Sequence, residues 1–339
     1  MIATLSDAAG PPPRGTTEGA YVVPISQPRS GGLQDLPAYL RTLTGEVQVI
    51  VVDGSPSEVF ASHAELLPDG IAHIPVDPGV ATPMGKVGGV LTGLRHARAA
   101  RVIIADDDVR YTVSNVRRML ALLDEYDVVR PQNYFSPTPW HALWDGSRSL
   151  LNRAVGGGDW PGTLGVRRQL LLSAGGYRGD VMFENLELVR TVLAAGGREL
   201  VAGDLYIARR PPSAQHFWNQ RVRQAYDELA RPWRMALFLA VLPLLAVTTA
   251  MAGWAVPVIV AGLAIAVAEG GRRRYAGTPY FPRLTSAFAP IWLVERGVSA
   301  WLALGRRFLR GGIMYRGQRL RAAASSEAEL RSAPRAGVA

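Results

Sequence analysis

RVIIADDDVR, residues 101–110, sets an unbroken apolar run directly against three adjacent carboxylates. A short continuous run of Val, Ile and Ala bounded by polar residues reads as a strand buried on both faces of a parallel sheet. The acids then mark its carboxyl end. VQVIVVDGS (Val47 to Ser55), YVVPIS (Tyr21 to Ser26) and IAHIPVD (Ile71 to Asp77) read the same way. Leu36 to Leu43 can form a short helix. Met84 to Ala99 is a helix opened by Gly-Lys, with apolar residues at Val87, Val90, Leu91, Leu94 and Ala97. Strands alternating with helices, and polar residues at strand carboxyl ends, predict an α/β domain. Its sheet is open, doubly wound and mostly parallel, and ligands sit at that edge.

Past Arg130 the pattern loosens into PQNYFSPTPWHALWDG and GGGDWPGTLG, which read as long loops over the same edge, where loops are usually functional. Helical periodicity returns in RRQLLLSAGG and FENLELVRTVLAAGG, each closed by a Gly pair.

Charge and hydropathy divide the chain. Residues 1–230 carry 22 Lys+Arg against 24 Asp+Glu, and residues 231–339 carry 15 against 4, so the net +9 resides entirely in the last third. That same third holds Met235 to Ala268, 34 residues without a charge, interrupted by Pro243, Gly253 and Pro257. One crossing takes about 20 apolar residues, so the length fits a hairpin of two transmembrane helices. Arg231 and Arg234 precede it and Arg272 to Arg274 follow it, so both ends face the cytoplasm under the positive-inside bias. Leu284 to Leu304 carries Glu295 and Arg296 at its centre with Trp292 and Trp301 beside them, which reads as an interfacial helix, a third crossing being the alternative. A basic balance confined to segments flanking apolar runs points to an anionic membrane surface and away from nucleic acid. There is no Cys, so any metal site must use oxygen and nitrogen ligands.

The organisation expected is a disordered lead-in over 1–19, a catalytic domain over 20–230, a transmembrane hairpin over 231–271, a basic interfacial segment over 272–321 and a disordered tail over 322–339. The lead-in lacks the basic start and apolar core of a secretory signal. The catalytic domain is therefore expected on the cytoplasmic face of the inner membrane.

Three adjacent carboxylates, Asp106, Asp107 and Asp108, repel one another unless a cation lies among them, and hard oxygen ligands suit Mg²⁺ or Mn²⁺. The plain alternative is a solvated acidic turn stabilised by a helix dipole. Asp53, in Asp-Gly-Ser, is as readily a turn cap. Lys86, the only lysine, stands at a predicted helix start where ammonium and free backbone N–H groups could meet a phosphate; a solvated surface lysine reads equally well.

PIS, VVDGS, the Gly-Lys helix start, IIADDDVR, GTLGVRR, FENLEL, QRVRQ and the trailing apolar helices, in that order, resemble the processive and lipid-acting glycosyltransferases of family 2. The nearest resemblance is to the ceramide-glucosyltransferase-like group, over about Tyr21 to Leu320, and GGIMYRGQRL resembles that group's C-terminal pattern. The resemblance implies a GT-A type domain with membrane-associated helices. It implies an inverting, metal-dependent hexosyltransferase that takes a sugar from a nucleotide diphosphate sugar, a UDP-sugar by expectation, to a lipid or lipid-linked acceptor.

Residue by residue, it implies that Pro24, Ser26, Asp53, Lys86, Asp106 and Asp107 meet the donor. Asp108, with Asp106, would bind Mn²⁺ or Mg²⁺. Trp160, Gly162 and Thr163 would line the acceptor side, and Gln220, Arg221 and Arg223 would hold the diphosphate, for which a guanidinium fork is suited. Two positions depart from the pattern. Asn185 stands where the group has its basic Asp, leaving Glu184 or Glu187 as catalytic base, and Gln224 stands where the group has Trp. Two other classes stay open: a nucleotidyltransferase, for which YVVPISQPRSGG is a poor match, and a non-catalytic membrane protein that binds nucleotide sugars.

Overall fold

The computed structural model describes residues 18–29, 31, 33–315 and 317–332. In chain order the elements are β1 (Ala20–Ile25), α1 (Leu36–Arg41), β2 (Gln48–Asp53), α2 (Ser57–Leu66), β3 (Ala72–Pro75), α3 (Gly85–His96), β4 (Arg101–Ala105), β5 (Val109–Arg110) and α4 (Val113–Leu122). They continue with β6 (Val128–Phe135), α5 (Trp140–Ala154), β7 (Thr163–Arg167), α6 (Arg168–Ser173), α7 (Glu184–Ala194), β8 (Glu199–Arg209) and α8 (Ala214–Tyr226). Then come α9 (Pro232–Ala252), α10 (Ala255–Arg273), α11 (Arg283–Ala287), α12 (Ala289–Leu309), β9 (Ile313–Tyr315), β10 (Gln318–Leu320) and α13 (Glu327–Ser332).

The expected architecture is observed: an open α/β sheet followed by apolar helices. Eight strands run in the order β3-β2-β1-β4-β7-β6-β8-β5. The β3-β2-β1-β4 half is parallel throughout, β7 is antiparallel to both β4 and β6, and β6 and β8 pair in parallel. β-branched residues fill the central strands because both faces are covered. Val22, Val52 and Ile104 pack under α3 and α7 on one face, while Tyr21, Val51 and Ile103 pack under α1 and α4 on the other. α3 is poor in helix formers, GKVGGVLTGLRH, yet it is buried along most of its length. Its glycines let it sit tight on β1: a Cβ on Gly93 would lie 2.3 Å from a methyl of Val22. Tertiary packing outweighs the propensity cost of about 1 kcal/mol per glycine.

α9 and α10 are each long and apolar enough to cross a membrane by length and composition, and only 11% and 22% of their apolar windows are buried within the chain. Gly253, at φ 77°, ends α9 between them. α12 packs on α8, α9 and α10 with Trp292, Arg296 and Ala300 inward, while Ile291, Val294, Val298, Trp301 and Leu302 face out.

Two expectations change. The long loops after Arg130 contain the end of β6 and the four-turn helix α5. The buried face of α5 carries Asp145, Ser149, Asn152 and Arg153 beside Leu150, so hydrophobic periodicity does not reveal it. The tail expected to be disordered over 322–339 is ordered over 322–332: Ala322 bridges Val181, and Glu327–Ser332 is helical. Backbone pairing of this kind leaves no periodic trace in Ala- and Ser-rich sequence. The remainder of that tail, and the lead-in apart from Glu18 and Gly19, lie outside the described residues.

The apolar helices are tied to the sheet domain where α10 crosses α5. A Cβ on Gly271 would fall 1.9 Å from the carbonyl oxygen of Leu150, against backbone that cannot step aside. Gly271→Ala is therefore expected to destabilise the chain by about 1–3 kcal/mol, as overpacking does. Gly262→Ala, on the same helix with nothing within 4 Å, is the control and should leave the thermal midpoint in detergent unchanged or slightly higher.

Candidate functional site

β4 ends at Ala105, and the chain turns through Asp106, Asp107 and Asp108 under backbone control. The Asp106 N–H donates to the Gly162 carbonyl at 2.8 Å, Val109 N–H to the Asp106 carbonyl at 3.1 Å, and Arg210 N–H to the Asp108 carbonyl at 2.7 Å. The three acids thus stand at the edge of the sheet, in a cleft of about 290 Å³ that also receives Lys86, Glu184, Arg209, Gln220, Arg223 and Gln224.

Cations from distant elements meet these acids. Lys86 Nζ, at the start of α3, lies 2.6 Å from Asp106 Oδ1 and 2.9 Å from Glu184 Oε1 at the start of α7. Arg209, at the end of β8, donates from Nε to Asp108 Oδ2 at 2.8 Å and from a terminal nitrogen to Asp106 Oδ2 at 3.2 Å. Burial disfavours the Asp106 anion, but Lys86 and Arg209 outweigh it and hold the group below its ordinary range. For Asp107 burial wins, reinforced by Asp108 and Asp106, and the carboxyl is pushed up to about 6. Burial likewise raises Asp108, against the pull of Arg209. Burial opposes the Lys86 charge too, yet Asp106 and Glu184 hold it well above the ordinary lysine value.

Burial is the first cause of both raised carboxyls, and a cation brought beside them would favour their charged forms. That suits a further hard cation. Among the described residues no three acidic or His side chains converge as a metal cage. Mn²⁺ or Mg²⁺ held by one or two carboxylates and completed by substrate phosphates does not need one. The donor set fits.

An adjoining cavity of about 260 Å³ shares Pro24, Ser26, Lys86 and Tyr315 with the cleft and is also lined by Gly54, Val76 and Gly89. The structure thus brings Pro24, Ser26, Lys86, Asp106, Asp107, Asp108, Glu184, Gln220 and Arg223 to one place. Gly162 abuts them: a Cβ there would lie 2.6 Å from Asp106 Oδ2.

Other expected residues go elsewhere. Asp53 ends β2 but is buried, with Oδ1 accepting from Ser55 N–H at 2.9 Å and Oδ2 bonded to His63 at 2.7 Å and His73 at 3.2 Å, so its carboxylate turns from the cleft. Glu187 is fully buried and Oε2 accepts the Ser325 N–H at 2.6 Å, which removes it from the cleft as a base. It lies three residues past Glu184, and the helix turns it under the chain's C-terminal segment. Arg221 is also turned away: it pairs with Asp145 at 3.0 Å and lies over the Phe217 ring. Thr163 is buried, donating to the Ile104 carbonyl at 2.6 Å. Trp160 lines a smaller neighbouring cavity, and the Arg130 guanidinium lies 4.0 Å from its ring centroid. Asn185 donates to the Pro161 carbonyl at 3.0 Å and so steadies the loop leading to Gly162.

Sequence reasoning passed over Arg209, Arg148, Asp145, His216 and Tyr315, which also line the cleft. Only Arg209 carried a signal, as a charge closing the strand-like run LYIAR. Asp227 was missed as well. Burial, with the Glu184 carboxylate adding to it, pushes its carboxyl up to about 8.

No family model and no curated protein matches the chain. Solved structures do show a likeness. One is a mannosyltransferase from Pyrobaculum calidifontis, solved with GDP-Man and Mn²⁺, at 20% identity over 86% of this chain and 89% of that one, with a TM-score of 0.47. S. aureus TarS, solved with UDP-GlcNAc, is similar at 15% identity over 59% of this chain and 60% of that one, with a TM-score of 0.40. Glucosyl-3-phosphoglycerate synthase from Mycobacterium tuberculosis, solved with Mn²⁺, UDP-glucose and phosphoglyceric acid, is similar at 16% identity over 59% and 74%, with a TM-score of 0.39. At this distance the likeness says nothing of the reaction; the residues of the cleft must carry that.

The raised Asp227 group sets a sign for stability against pH. A carboxyl that holds its proton to about 8 when folded but titrates near 3.8 when unfolded costs stability progressively as pH rises between those values. Asp227→Asn removes that cost. Its thermal midpoint should exceed the wild type's by more at pH 8.5 than at pH 5, and an equal gap at both would contradict the assignment.

Proposed function

We propose that this chain is a membrane-anchored, metal-dependent glycosyltransferase of GT-A type, resembling family 2, that moves a sugar with inversion from a nucleotide diphosphate sugar to a lipid or lipid-linked acceptor. The observation that carries the reading is the meeting of Asp106 and Asp108 with Lys86, Arg209 and Glu184 in one cleft at the sheet's edge.

Direct displacement at an anomeric carbon requires a stabilised leaving diphosphate and a base for the acceptor hydroxyl. Lys86 and Arg223 offer the diphosphate a point charge and a planar fork, fixed in the cleft before the donor arrives. Asp108, with Asp106, would hold Mn²⁺ or Mg²⁺, which when bound supplies further charge to the leaving oxygen. Glu184 is the base in this reading. Lys86 lies 2.9 Å from it and keeps its carboxylate oriented; a diphosphate drawing on Lys86 would free that oxygen for the acceptor proton.

Support for a lipid acceptor comes from the apolar side. α9 and α10 have the length and composition of membrane spans. Beside them Trp144, Trp218, Ile291, Val294 and Leu302 line an open apolar groove of about 660 Å³ between α5, α8 and α12. A groove of that size, beside such helices, suits a hydrocarbon chain. The arginines clustered at both ends of the hairpin favour the cytoplasmic face for the sheet domain.

The direct test is release of nucleoside diphosphate from a panel of sugar nucleotides by the purified protein in detergent, with Mn²⁺, Mg²⁺ or chelator, and with or without membrane lipid extract. Metal-dependent release stimulated by lipid is expected, and Glu184→Gln should slow it roughly 100-fold or more while donor binding persists. Nucleotide binding without release from any donor would instead support the non-catalytic reading, which the departure at Asn185 already favours.

A further inference from the structure

The segment that follows the apolar helices does not trail away from the sheet domain. β9 and β10 form an antiparallel ribbon, and Tyr315 at the end of β9 lines both the charged cleft and the adjoining cavity. Its ring is half-buried, and the Arg223 guanidinium lies 5.4 Å from the ring centroid.

The chain beyond β10 is held closely. The Tyr226 hydroxyl donates to the Arg321 carbonyl at 2.7 Å, Met182 N–H to the Ala322 carbonyl at 3.0 Å, and Phe183 N–H to the Ala323 carbonyl at 2.7 Å. Ser325 is gripped from three sides: its N–H donates to Glu187 at 2.6 Å, its carbonyl accepts from Arg190 at 2.6 Å, and its hydroxyl accepts from Arg178 at 3.0 Å. Residues 181–183 lead straight into Glu184, so this strap and the proposed base share one support. Backbone bonds to fixed elements make a wall, because each donor satisfied in place is one less reason for the segment to move.

We infer that this returning segment completes the donor site, with Tyr315 as the wall on which the donor's nucleoside packs and Glu187 as the positioning residue that holds the strap. The inference rests on the transferase reading above. The acids and arginines of this region line the cleft, whereas the adjoining cavity, Lys86 apart, is walled by uncharged residues such as Val76, Ala81 and Gly89. A diphosphate belongs to the first and a base with its ribose to the second. Tyr315 stands where the two join, and an aromatic face is suited to a nucleobase whatever its identity. Glu187, drawn out of the cleft, instead accepts from the strap's backbone and so fixes the segment that carries the wall.

The test separates nucleoside from phosphate. Dissociation constants for a nucleoside diphosphate and for inorganic pyrophosphate are measured on the full-length protein in detergent, with Mn²⁺ present. Tyr315→Leu, which keeps bulk but loses the aromatic face, should weaken the nucleoside diphosphate by about tenfold and leave pyrophosphate unchanged, while Tyr315→Phe stays near wild type. Glu187→Ala should show the same nucleoside-selective loss. Glu187→Gln, whose amide oxygen can still accept the Ser325 N–H, should restore binding. Equal loss of both probes in Tyr315→Leu, or no loss of either, would overturn this inference alone. A wild-type chain that binds neither probe would overturn the transferase reading, and this one with it.

Discussion

Three carboxylates in succession at the end of a buried strand are costly to hold together, and the cations that compensate them come from parts of the chain far apart in sequence. Lys86 is brought by the start of α3, Arg209 by the end of β8 and Arg223 by α8. Lys86 belongs to the parallel half of the sheet, and Arg209 to the half beyond the antiparallel strand β7. The β4-β7-β6-β8 order is thus what sets a guanidinium against Asp106 and Asp108. A buried charge left without its partner costs several kcal/mol, so site and sheet order support each other.

The compensation continues below the cleft. Arg221 is shared between Asp145 of α5 at 3.0 Å and Glu295 of α12 at 3.8 Å, and Arg296 reaches Gln224 of α8 at 3.5 Å. These contacts explain why an otherwise apolar helix keeps two charges at its centre: they face the sheet domain. Tight crossing of α10 on α5 at Gly271 serves the same connection from the other side. The cleft, its less charged side cavity and the apolar groove therefore lie on one framework, three environments matched in the proposed reaction to diphosphate, nucleoside and lipid.

Much of this was legible in the residues. Apolar runs ending in polar residues marked β1, β2 and β4, and the Gly-Lys start of α3 gave Lys86 its position, because burial on both faces and a helix start leave local marks. The apolar hairpin was legible from length alone. The roles of individual polar residues were not. Glu184 and Glu187 look alike in FENLEL, yet Glu184, at the first position of α7, reaches the cleft, while Glu187, nearly one turn further along, is claimed by the strap. Arg221 and Arg223, two residues apart, fall on different faces of α8. Asp53 follows its strand as expected, but His63 and His73, ten and twenty residues later, take its carboxylate. α5 was hidden because its buried face is polar, and the strap because backbone pairing has no composition. Position along an element is local information; the partner that claims a polar side chain is not.

If the acidic turn after β4 and its cations form a site for a metal-bound nucleotide diphosphate, that site is open to equilibrium binding. A nucleoside diphosphate is titrated against the purified protein with and without Mn²⁺, for wild type and Asp108→Ala. Binding should tighten with Mn²⁺ in the wild type and lose that dependence in Asp108→Ala, which stays folded at a lowered thermal midpoint because Arg209 keeps Asp106 as a partner. Nucleotide binding indifferent to both metal and Asp108, or no binding at all, would contradict such a site.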